Sequence, residues 1–450
     1  METMFSGRAL RRLIIPLIIE QFLAVTVGMA DIIMVSSVGE NAVSGVSLVD
    51  TINILLINIF AALATGGAVV SAQYLGKKDK EGACKSANQL LLVSGAISIG
   101  IMLFALIGNR FILNMIFGQV EAEIMDNAQV YFFYSALSYP FLGLYNSCAA
   151  LFRAMGNSRI SMLTSLCMNI LNISGNALFI YGLGMGVEGV GTATLISRIV
   201  AAIIMFILIR MPLYDIHIEK KLSFRFNFRL IKQILKIGIP NGMENSMFQV
   251  GKILVMSLVA SFGSISIAAN AVSSTITSFA VIPGSAMGLA LITVVGQCIG
   301  AGDYEQARIY TINMTKITII SLSIINLFMI LLSPFIVSLY NLSNETAVLA
   351  VQLIRFYSIC SFVFWPLSFT LPNALRAAND VKYTMIIAII SMWTWRVGFS
   401  YILGKFFGLG VFGVWIAMTL DWVFRGICFT ARFLKGSWKK KSIVSDPADQ

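Results

Sequence analysis

Charge is scarce in this 450-residue chain. Asp, Glu, Lys and Arg make up 12% of it, about half the share of ~25% usual in soluble domains. Histidine is nearly missing, His217 being the single example, which removes histidine relays and histidine-based metal sites from consideration. The six cysteines, Cys84, Cys148, Cys167, Cys298, Cys360 and Cys428, are scattered, mostly in apolar runs, without close pairs or metal-ligand spacing. They read as small buried apolar residues. These shortages exclude soluble enzymes, nucleic-acid binders and disordered chains. With no HExxH, no GxGD pair and no Ser/Lys dyad, the reading is also against an intramembrane enzyme.

Apolar residues fill the chain instead, at 58% of 450 positions. At roughly 20 per membrane span this allows at most about thirteen spans. Bounded by charge or by Gly/Pro clusters, twelve are read at 12–36, 43–73, 84–108, 121–152, 158–182, 187–211, 236–262, 267–298, 309–335, 346–374, 382–404 and 411–434. The basic stretch before Arg12 leads into an apolar run that continues past Asp31, so it opens a first span and not a cleaved signal.

The net charge of +11 is concentrated on one side of these spans: 26 of the 32 Lys and Arg fall in one set of connections, against Arg110 and Lys405 in the other. The basic side is cytoplasmic by the positive-inside rule, which places both termini in the cytoplasm of a multi-pass cell-membrane protein. Arg198, Lys252, Arg355 and Arg396 lie within spans.

The chain also repeats itself at one displacement. Pro16 and Glu20 face Pro240 and Glu244, Gly39 faces Gly263, and 72–83 (AQYLGKKDKEGA) faces 296–307 (GQCIGAGDYEQA), all 224 residues apart. The same offset pairs 186–190 (GVEGV) with 410–414 (GVFGV). Six spans are an even number, so the halves keep one orientation and form parallel repeats, the organisation of carriers that rock around a site between repeats. The expected organisation is an N-lobe at 1–211, a linker at 212–235, a C-lobe at 236–434 and a cytoplasmic tail at 435–450. Duplicated halves bearing unequal acids favour alternating access over a passive channel.

Ionisable residues inside spans are costly and are functional candidates by default. The acids so placed are Glu20, Asp31, Asp50, Glu244 and Asp421. Glu20 and Asp31 are eleven residues apart, on one helical face with Pro16, whose missing N–H frees a carbonyl and gives a hinge able to coordinate a cation. Span five carries Ser165, Asn169, Asn172 and Asn176 as a polar seam that must face the bundle interior. In the second half Glu244 repeats Glu20, but Val255 stands where Asp31 would recur. Lys252, two turns after Glu244, is expected to neutralise it in a C-lobe polar site, Arg396 and Asp421 to form a bridge, and Asp50 to be solvated near the outer end of its span.

A carboxyl held away from water can exchange a proton, and one ringed by amide and hydroxyl oxygens can hold sodium. The 22 methionines and 31 phenylalanines offer adaptable lining for flat amphipathic cations.

These features resemble the multidrug and toxic compound extrusion (MATE) family of the MOP flippase superfamily, along nearly the whole chain. The resemblance lies in the proline-bearing first span ending in ADIIMVSSVG, in GQxxGAxD at 296–303 and its degenerate copy at 72–79, in LFRAMGN at 151–157 and in LNISGNALFIYGLGMGVEGVGTATLIS at 171–197. It implies an all-α membrane protein with twelve transmembrane helices in two six-helix bundles forming a V. It also implies a monomer without a bound cofactor, which exports organic cations or other amphipathic drugs against inward Na+ or H+ flow. A flippase for lipid-linked oligosaccharides is the alternative within the superfamily, though it favours additional spans and a more cationic cavity. The family's N-lobe cation site maps onto Asp31, Asn172, Asn176 and Thr194, with Pro16 as the bending proline; Glu20 joins the expected cation site from its place on the Asp31 face of the first span. Asn176 departs from a position where the family often has a second aspartate. No acid occupies the span-ten position that one branch of the family uses in the C-lobe.

Overall fold

The computed structural model describes residues 4–118, 120–218 and 225–440. Lys220, Lys221, Lys441 and the rest of the expected tail lie outside the described residues. Elsewhere the chain forms helical rods joined by tight turns: α1 (Gly7–Ser36), α2 (Glu40–Gly76), α3 (Lys80–Phe117), α4 (Ala122–Ala154), α5 (Ser158–Gly182) and α6 (Gly186–Ile209). The second set is α7 (Phe228–Ala260), α8 (264–300), α9 (Tyr304–Ser338), α10 (Asn344–Ala377), α11 (Val381–Phe406) and α12 (Gly410–Leu434). Each of the twelve expected spans falls within or nearly within one rod. Among the described residues ten stretches are long and apolar enough to cross a membrane, with α4 and α7 diluted by polar residues. Large apolar side chains stand on the outside, among them Phe104, Ile107, Phe111 and Phe335, at 65% exposure or more. Such a surface suits hydrocarbon and not water.

The chain divides into two compact units, one spanning Gly7–Gly242 and the other holding Met243 onward with the short stretch before Gly7. The division falls inside α7, beyond the expected boundary at 236, and α7 begins at Phe228, inside the expected linker. Close backbone packing explains it: a Cβ on Gly66 of α2 would stand 2.5 Å from the Ile234 carbonyl oxygen and 3.0 Å from the Gly238 nitrogen. The first turns of α7 are thereby held against α2. Small residues allow this approach where helices associate without a hydrophobic driving force.

The repeat is visible in local structure. Asp79 and Asp303 both cap the following helix, accepting hydrogen bonds from the Gly82 and Gln306 backbone N–H groups at 2.8 and 2.9 Å. Each such cap satisfies a helix-terminal donor. Gly39 and Gly263, then Gly184 and Gly408, take positive φ at matching turns, a conformation that favours glycine. Within the first unit α4 packs on α2, α3 and α6; within the second, α10 packs on α8, α9 and α12.

The displacement is not constant throughout. Arg153 and Arg376 match at 223, as do Gly156 and Asn379, both at positive φ. The missing residue returns inside α11, where Met392–Gly398 forms a π-helical turn whose counterpart in α5 is regular α-helix up to Asn176. A π-turn is how a helix absorbs one inserted residue.

Candidate functional site

The polar seam of α5 faces the interior of the first unit, where α5 packs mainly on α1 and α6 and also on α4. Asn176 is fully buried, and Asn169 and Asn172 are nearly so. The Asn176 amide Nδ2 donates to Asp31 Oδ1 at 2.9 Å and to Asn172 Oδ1 at 3.4 Å, and Asn172 Nδ2 donates to Thr194 Oγ1 at 3.3 Å. Asp31, Asn176, Asn172 and Thr194 thus form one connected chain across three helices. Asn176 Oδ1 is buried without a hydrogen-bond partner, an arrangement proteins rarely leave unanswered. An electropositive guest beside it would satisfy that oxygen.

Other expectations meet a different arrangement. Glu20 lies roughly 16 Å further down α1 than Asp31, at 1.5 Å per residue, and takes no part in this chain. Its carboxylate accepts from Arg153 Nη1 at 3.1 Å and from Ser161 Oγ at 2.8 Å. Pro16 sits inside an unbroken α1. The Arg12 carbonyl, deprived of its partner by the proline, accepts from Ser158 Oγ at 3.4 Å, and the neighbouring Leu13 carbonyl accepts from the same hydroxyl at 2.5 Å. That carbonyl is therefore used in packing α1 on α5, about 28 Å from Asp31 by helical rise, and is no ligand of the Asp31 cluster.

Asp50 is not simply solvated. Its Oδ1 accepts from Asn53 Nδ2 at 3.1 Å and from the Tyr131 hydroxyl at 3.3 Å. Asn53 in turn accepts from Tyr139 at 3.0 Å. Asp50 and Arg198 both lie within electrostatic range of Asp31, and Arg198 Nη1 donates to Ser138 Oγ at 2.7 Å. Around Asp31 this unit thus gathers Asp31 and Asp50 with Arg198, apart from the Glu20–Arg153 pair. The sequence places Asp50 and Arg198 within spans, but their convergence on Asp31 comes from how the helices pack.

In the second unit Glu244 is neutralised by arginines instead of Lys252. Its Oε1 accepts from Arg376 Nη2 at 2.7 Å and from Arg425 Nη2 at 3.4 Å. Lys252, eight residues further along α7, lines a separate cavity with Arg396. The bridge from Arg396 to Asp421 is present, at 3.6 Å. Glu20–Arg153 and Glu244–Arg376 are the same ion pair in the two halves, linking the first helix of each half to its fourth. The constant offset of 224 hides this, because the arginines match at 223.

An all-helical chain with apolar spans, duplicated in sequence and fold and holding ionisable groups inside each copy, belongs to the class of membrane transporters built from parallel repeats. The MatE sequence profile matches residues 16–178 and again residues 240–402, once per half. The chain belongs to the MatE family, the multidrug and toxic compound extrusion transporters. It is 27% identical to the uncharacterized transporter YisQ of Bacillus subtilis over 95% of this chain and 94% of that one. To a probable multidrug resistance protein NorM of Thermotoga maritima it is 25% identical, over 97% and 94%. Its fold matches the outward-facing structure of a multidrug resistance MATE family transporter with a TM-score of 0.90 at 23% identity, covering 98% of this chain and all of that one.

Proposed function

We propose that the chain is an antiporter that exports organic cations or other amphipathic drugs in exchange for inward-moving Na+ or H+, by alternating access of its two repeats. The observation that carries the coupling is the hydrogen-bonded run Asp31–Asn176–Asn172–Thr194 with its unpartnered buried amide oxygen. One carboxylate oxygen, two amide oxygens and a hydroxyl form a donor set of hard oxygens, suited to a small hard cation. Protonation of Asp31 would equally remove the charge and rearrange its bond to Asn176. The names of the relatives, multidrug resistance proteins among them, support the substrate class.

On this reading the protein works as a monomer in the cell membrane. Both ends face the cytoplasm, the basic linker between α6 and α7 joins the lobes there, and Pro16 lets α1 flex between conformations. Ser158, which holds the carbonyls around Pro16 in this state, would release them as α1 bends.

The test is ethidium efflux from vesicles under separately imposed sodium and proton gradients. Asp31→Asn is expected to abolish gradient-driven efflux while the protein remains folded. Normal export by that variant would move the coupling role to another acid.

A further inference from the structure

The second unit holds a cavity of about 540 Å³, lined by residues of α7, α8, α10, α11 and α12. It is the repeat image of the Asp31 site. At the displacement of 224, Asp31, Asp50, Asn53, Thr194 and Arg198 correspond to Val255, Ser274, Thr277, Met418 and Trp422, and all five of these line the cavity. Both acids of the N-terminal site are thus replaced by neutral residues, and no acidic residue is among the cavity's lining.

The charges there have the opposite sign. Lys252, which replaces Gly28, and Arg396, carried on the π-turn of α11, both line the cavity. Arg396 is matched by Asp421 behind it, whose other oxygen accepts from Ser391 Oγ. Lys252 makes no hydrogen bond or ion pair among the described residues and is exposed. The cavity therefore has one uncompensated positive charge. Its walls are aromatic: Phe248, Trp365, Trp415 and Trp422 contribute rings, with the guanidinium of Arg396 over Phe248 at 5.2 Å. The Trp422 indole N–H is buried without an acceptor.

We infer that this C-lobe cavity binds an amphipathic aromatic anion, such as a planar carboxylate, with the carboxylate on Lys252 and Arg396 and the ring system against the tryptophans. Rings give a large apolar contact, and an ammonium without a counter-ion in a half-apolar cavity selects for a negative partner and against a positive one. The volume lies within the range of small-molecule sites. Binding at this cavity does not depend on the chain's acting as an antiporter, so the test is made without any gradient.

Purified protein in detergent is titrated calorimetrically with three naphthalene ligands of similar size whose head groups are anionic, neutral and cationic: 2-naphthoate, 2-naphthamide and 2-naphthylmethylammonium. The naphthoate is expected to bind about tenfold tighter than the amide, with the ammonium weakest. Lys252→Gln should bring naphthoate affinity down to that of the amide, and Lys252→Arg should restore it. Because Lys252 holds no partner, the Gln variant leaves no charge stranded, and an unchanged melting temperature verifies its fold. Equal affinities across the series, preference for the ammonium, no naphthoate binding, or a Gln variant that keeps full affinity would each overturn the assignment. Loss of drug efflux in Asp31→Asn with naphthoate binding intact would leave both readings standing, since the two experiments have separate outcomes.

Discussion

A carboxylate that exchanges a small cation must be desolvated enough to hold it and must have neighbours that tolerate its empty state. Asp31 has both: it is half-buried, and Asn176 donates to it at 2.9 Å. On the proposed mechanism the asparagine would take over when no cation is present, since its amide N–H is a weaker, neutral substitute for positive charge. Asn176→Asp would place two carboxylates within contact distance, and they could not both stay ionised unless a cation or proton lay between them. This variant is expected to lower the coupling-cation concentration giving half-maximal efflux by several-fold, read from initial rates at graded sodium or pH. An unchanged half-maximal concentration would show that residue 176 does not touch the cation. Asp50 and Arg198 belong to the same electrostatic unit, with Tyr131 and Asn53 holding Asp50 in place.

At the scale of helices, the two Glu–Arg pairs stand where the first helix of each half meets the fourth. They are unequal. Glu20 meets one arginine whereas Glu244 meets two, Arg376 and Arg425, both within a tenth of full burial. Removing a buried acid strands its arginines, which costs about 3–5 kcal/mol where the loss is complete. Glu244→Gln should therefore lower the thermal unfolding midpoint in detergent more than Glu20→Gln does, and Lys252→Gln should leave it nearly unchanged. A drop with Lys252→Gln as large as with Glu244→Gln would contradict the pairing of Glu244 with the two arginines. The π-turn Met392–Gly398 is the other helical-scale asymmetry. It occupies the stretch of α11 matching the one in which α5 carries Asn169 and Asn172, and it brings Arg396 where the N-terminal half has an asparagine.

For the molecule as a whole, duplication preserved the scaffold while the interiors diverged in sign. Caps, positive-φ turns and the packing of the fourth helix recur in both units, because every copy must satisfy the same helix ends and bury the same faces. The interior polar residues are free of that constraint and can change, since each has only to be balanced locally. By the positive-inside rule, the proposed orientation puts both ends of the chain on the cytoplasmic side. Epitope tags at either end are accordingly expected to be reached by antibody only after permeabilisation of cells, and labelling of intact cells at both ends would reverse the orientation.

Long apolar runs, a displacement of 224 recurring along most of the chain and glycines at repeated turns were enough to read the helix count, the duplication and the polar seam of α5. Membrane helices bury their backbone hydrogen bonds within themselves, so each announces its own span locally. Asp31 and the asparagines of α5 were legible because polar groups in a span must face inward, whereas their run to Thr194 was implied by the family resemblance alone. Apart from the Arg396–Asp421 bridge, partner choice was not legible. Glu244 lies on the same helix as Lys252, yet the arginines it meets come from α10 and α12, and the Ser158 that takes up the carbonyls around Pro16 comes from α5. Such pairings depend on how helices distant in sequence are rotated and spaced against one another, and small residues such as Gly66 and Gly238 set that spacing through contacts that no local pattern encodes.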